Sequence, residues 1–131
     1  MYEVLLLVTA LLFGGMVLYS FDFAAFVFWA LPAETAGPLI RKAFPHFYLF
    51  CLGTAALGAI IALLVDPLSG GILAAIALTT VPARLTLMPA INAATDSGNK
   101  ARFKALHGAS VVLTLLHIVA AAYVIVRLAS V

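Results

Sequence analysis

Charge disappears from this chain four times. Val4–Phe21, Phe47–Val65 and Gly108–Val126 hold no Asp, Glu, Lys or Arg, and neither does Leu68–Ala83, whose apolar pattern runs on past Arg84 to Pro89. The runs are continuous rather than alternating, which argues for helices and against barrel strands. Each approaches the roughly 20 apolar residues that carry a helix across the hydrocarbon core. The spacing predicts four transmembrane helices, at about 2–31, 45–65, 70–89 and 101–128. "LPAETAGP" breaks the chain after the first, and "LIRKAF" reads as a short amphipathic piece. Pro45 suits the first turn of the second helix, where its missing N–H is harmless. "DPLSGG" is a tight turn, Pro82 is expected to bend the third helix, and "NAATDSGNK" reads as a polar loop carrying Asn92 and Asp96. No internal sequence repeat is evident.

Composition turns the pattern into a solvent. Hydrophobic residues make up 66% of the 131 positions and charged residues 9%, against about 45–50% and about 25% in a soluble domain. No aqueous fold of this size hides that much apolar surface. The expected fold is all-α, an integral membrane four-helix bundle forming one domain over residues 1–131. "MYEVLLLVTALL" has no Lys or Arg ahead of its apolar stretch, so the first helix is expected to stay in the mature protein. Cys51 lies within a span as the single cysteine; it reads as a small hydrophobe. Gly14, Gly15, Gly53 and Gly58 read as helix-packing positions. No phosphate loop, zinc-binding or nucleophile motif is present, which points away from an enzyme.

Charge then orients the bundle. Arg41, Lys42, Arg84, Lys100, Arg102 and Lys104 fall towards one side, and Arg127 alone falls near the other. Cytoplasmic connections collect Lys and Arg, so both termini are expected outside the cytoplasm, in an inner-membrane protein. A net charge of +2, segregated by side, gives no footprint for nucleic acid.

The costly side chains are the candidate chemistry, because an ionisable group inside a membrane is a functional candidate by default. Asp22, His46, Arg84 and His107 come from four different helices at similar depth. With Asn92 and Asp96 they define an expected polar cluster at the cytoplasmic end, in which Asp22 and Arg84 pair and the His107 ring reaches Asp22, Asn92 or Asp96. His117 lies deeper. It is expected to be neutral, donating one hydrogen bond across the bundle. His46, His107 and His117 are also the only histidines available for a metal or an axial haem bond.

Longer stretches carry a resemblance. Gly14–Gly15, Leu31–Pro32, Ala36–Gly37 and Phe44–Pro45–His46–Phe47–Tyr48 are followed by "LMPAINAATDSGNKARFKALHGAS", in which Phe103, Leu106, His107, Gly108 and Ser110 open the last helix. In order and spacing these resemble the transmembrane protein 205-like family, also described as domain of unknown function 4149. The resemblance implies a four-helix membrane protein and brings no settled activity. His107 falls on the shared pattern; His46 and His117 do not. Three functions stay open. The first is a non-enzymatic bundle acting as an accessory subunit or oligomer with other transmembrane helices. The second is a haem- or metal-binding protein. The third is a small-solute transporter formed as an oligomer.

Overall fold

A computed structural model describes residues 1–131. Four long helices account for nearly all of them: α1 Tyr2–Ala30, α2 Ala33–Ala62, α3 Pro67–Asp96 and α4 Lys100–Ala129, each apolar enough to cross a membrane. At 1.5 Å per residue each is about 45 Å long, which covers the hydrocarbon core and both headgroup layers. The protein is an integral membrane four-helix bundle. Each of α1 and α3 packs against both α2 and α4, and short connections make neighbours antiparallel.

Packing follows a stripe hidden in helices that are apolar on every face. The buried residues are Leu5, Thr9, Leu12 and Met16 on α1, and Tyr48, Cys51, Ala55, Gly58 and Ala62 along α2. On α3 they include Ser69, Leu73, Ile76 and Thr80, and on α4 His117, Ala121, Val124 and Leu128. The alternating steps of three and four are those of left-handed knobs-into-holes packing. Small residues let α2 and α3 approach most closely near their turn: a Cβ on Gly70 would lie 3.4 Å from the Ala62 Cβ and 3.5 Å from α2 backbone. Only 26 residues are buried, so most of the apolar surface is left for lipid.

Two expected boundaries move. The second helix does not begin near Pro45. Leu31 is extended (φ −123°, ψ 150°), as a residue before proline prefers, and α2 starts at Ala33 and runs through Pro38 and Pro45. The stretch read as a separate amphipathic piece is held helical against the end of α1, where Val27, Ala36 and Ile40 form a second small core. The third helix likewise continues past Pro89 to Asp96. Asn92 and Asp96 therefore stand on a helix, and the turn shrinks to three residues around Gly98, whose φ of +69° suits glycine. Asn99 then caps α4, its side chain accepting from the Arg102 N–H at 3.1 Å.

Helices α1 and α3 share a feature that the amino-acid pattern did not announce. Each has a first α-helical section of 16 residues followed by a π-helical segment, Leu18–Phe23 in α1 and Ala83–Leu87 in α3. In α3 the departure follows Pro82, the expected site of a bend. Both segments begin about 24 Å from the helix start. The hairpins α1–α2 and α3–α4 thus have one layout without a repeated sequence.

Bidentate ion pairs lock the ends. At the end carrying both termini, Arg127 donates to the two Asp66 oxygens at 2.7 and 3.1 Å, and the Ser69 hydroxyl donates to the same carboxylate. At the other end Arg41 donates to Asp96 at 2.7 and 3.0 Å. The Arg127 and Ser69 donors hold the Asp66 carboxyl well below the usual carboxylate range. A depressed folded-state pKa gives stability that is present above the unfolded pKa of about 3.9 and lost as pH falls towards the folded value. Thermal unfolding in detergent micelles should therefore show stability declining below about pH 4, and Asp66→Asn should remove that part of the decline. An unchanged acid limb in Asp66→Asn would place the acid-sensitive group elsewhere.

Candidate functional site

The polar and aromatic groups gather in the half of the bundle away from the termini. Counting along the helices, His46, Arg84, Asp22 and His107 lie about 24–33 Å from the terminal end. With headgroup layers at both helix ends, that is the far half of a hydrocarbon core about 30 Å thick. Equal depth does not bring them together. Asp22 is exposed on α1 and His46 is exposed on α2. Arg84 donates to the Pro45 carbonyl at 3.3 Å instead of pairing with Asp22, and the three ion pairs of the chain leave out both residues. Asp22 and Arg84, expected to pair directly or through water, make no direct ion pair: Asp22 lies in the π segment of α1, on an outward face, while Arg84 turns towards α2.

Part of the cluster does converge, around a residue that had served only to orient the bundle. Arg41, Tyr48, Asn92 and His107, together with the apolar Phe44, Met88 and Ile91, line a small cavity of about 40 Å³ between α2, α3 and α4, and Arg41 carries Asp96 with it. His107 makes no hydrogen bond to Asn92 or Asp96; its ring stacks on Phe103 with centroids 5.3 Å apart. The basic side chain in "LIRKAF" was the available signal for Arg41, once that segment is known to be helical.

Next to this cavity is a larger apolar one. The first section of α1 packs against both α2 and α4, whereas the section after its π segment packs chiefly against α2. A cleft of about 310 Å³ opens where α1 leaves α4, walled by Ala24 and Phe28 of α1, Phe44 and Phe47 of α2, and Val111 and Leu115 of α4. Such a volume falls at the small end of ligand pockets, which are mostly apolar with a few polar groups. Phe44 and His107 line both cavities. Tyr19 forms the wall, its ring stacked on Phe47 at 4.1 Å and edge-on to Phe44 at 5.6 Å. The neighbouring Tyr48 hydroxyl is satisfied by Ser110 Oγ at 2.9 Å. The Tyr19 hydroxyl is buried and has no hydrogen-bond partner, a condition that costs about 1–3 kcal/mol.

His117 lies apart from the cavities, on the buried stripe of α4. Its Nε2 is 2.7 Å from Thr79 Oγ1. The Thr79 hydroxyl also lies 2.7 Å from the Ala75 carbonyl; with its single proton given to that carbonyl, it accepts from the imidazole. The histidine is thus bonded across the bundle. No group of three or more His, Cys, Asp and Glu side chains is placed to hold a metal ion, and the three histidines face three different surroundings. Interhelical hydrogen bonds in membranes contribute about 0.6–2 kcal/mol. Thr79→Val and His117→Leu should each lower thermal stability by about 1 kcal/mol, and the double variant should lose less than the two combined. Strict additivity would show that the bond contributes nothing.

Comparison with known proteins adds the family. The family model described as Domain of unknown function (DUF4149) matches residues 7–100. That range covers α2, α3 and nearly all of α1, and stops at the first residue of α4, before Phe103 and His107. No curated protein and no solved structure matches the chain. With well over half its length matched, this four-helix membrane protein belongs to the DUF4149 family.

Proposed function

We propose that the protein is a non-enzymatic membrane component that works assembled with other transmembrane helices, as an oligomer or an accessory subunit. The observation that carries this is Asp22. A carboxylate stands on the outer surface of α1, about 30 Å from the terminal end, with no partner in its own chain. An Asp at the centre of a membrane helix is disfavoured by about 2.5–3.5 kcal/mol, and by less towards the boundary where Asp22 stands, and ionisable groups at depth almost always face protein or water. A neighbouring helix that brings a donor to Asp22 removes that penalty. A second copy can do so, because His46 also faces outward at comparable depth. The basic end is taken to face the cytoplasm, with both termini outside.

Chemical cross-linking in native membranes, followed by sizing in lipid nanodiscs, tests the reading. Wild type should run as an assembly, Asp22→Asn should associate at least about tenfold more weakly, and Asp22→Glu should retain association. A wild-type protein that stays monomeric and yields no cross-linked product in its own membrane would refute the assembly.

A further inference from the structure

We infer that the two adjoining cavities form one binding site for a long-chain carboxylate, with the hydrocarbon chain in the larger apolar cleft and the carboxylate in the smaller cavity, among its three donor side chains. The site requires no second copy of the chain. The larger cavity, about 310 Å³, has the apolar walls and lateral opening that a chain dissolved in the bilayer needs. On α4 it extends from His107 to Leu115, about 12 Å, which is close to the depth of one leaflet's hydrocarbon.

The smaller cavity sets the head. Its volume of about 40 Å³ accommodates only a few water-sized groups, so a carboxylate fits and a phosphodiester headgroup does not. Its lining offers donors: the Arg41 guanidinium, the Asn92 amide and the His107 ring. Arg41 is shared, since two of its N–H groups already serve Asp96, but a guanidinium has five donors. Charge favours an anion. Lys42, Arg84, Lys100, Arg102 and Lys104 accompany Arg41 in this half, against Asp22, Glu34 and Asp96, and none of those five is in an ion pair. The cavities meet at Phe44 and His107, where head and chain join. Tyr19, with its unsatisfied hydroxyl, borders the chain cleft, so a ring movement on binding could give that hydroxyl an acceptor.

Photoaffinity labelling of the protein in nanodiscs tests this directly. Two probes are used, a diazirine-bearing C18 fatty acid and the C18 fatty alcohol with the same chain and diazirine. The acid should label α1 and α4 peptides around the cleft about tenfold more strongly than the alcohol, the difference expected for losing a charge-assisted bond. His107→Leu should remove most of that preference. Ala25→Phe, which fills the cleft wall without altering charge, should abolish labelling by both probes at those peptides. Variants are scored only if their thermal unfolding matches wild type, and the comparison of the two probes on wild type stands without them. Equal labelling by acid and alcohol, or cleft labelling that survives Ala25→Phe, would overturn the site.

Discussion

The structure depends on one constraint: within lipid, every backbone N–H and C=O must find its partner inside the protein. Four helices of nearly equal length meet it, with 113 backbone hydrogen bonds in 131 residues. The prolines show its strength. Pro38 and Pro45 would end a helix in water, yet α2 passes through both because an open loop at that depth would leave peptide groups unpaired. Where α1 and α3 depart from α geometry, they do so as π segments, which keep the backbone bonded while shifting the faces that follow.

That shift connects fold to site. After Leu18–Phe23, the end of α1 follows α2 and no longer closes on α4. The cleft between them is a consequence, and it opens at the level where Tyr19, Phe44, Phe47 and His107 meet. The bidentate ion pairs join α2 to α3 and α4 to the α2–α3 turn, so neither ties down the end of α1. Arg84, within the second π segment, donates to a carbonyl of α2 at the same level. Strained or widened helical turns concentrate at functional places, and here two of them coincide in depth with the cavities.

Depth could be read from residue counts; direction could not. The charge-free runs located all four spans, and the skew in Lys and Arg distinguished the two ends. Counting also placed Asp22, His46, Arg84 and His107 at one level. Their facing depends on helix phase, which an inserted π residue changes without a sequence signature, so the direct Asp22–Arg84 pair failed although its depth was right. The packing stripe was obscured because the lipid-facing sides are as apolar as the core. Small residues such as Ala55, Gly58 and Ala62, spaced by three and four, were the one visible trace. Pro45 misplaced the start of α2 because its local preference was overridden by packing against α1 and by lipid. His117 meets Thr79 across the bundle, since a lone polar ring at mid-depth has few other ways to be satisfied.

Helices α1 and α3 should give way at their matching π segments while the rest of each helix stays firm. Amide hydrogen exchange measured by NMR in lipid nanodiscs tests it residue by residue. Leu18–Phe23 and Ala83–Leu87 should exchange at least about tenfold faster than the turns on either side, a gap of about 1.4 kcal/mol in opening free energy. Uniform protection along α1 and α3 would contradict the account.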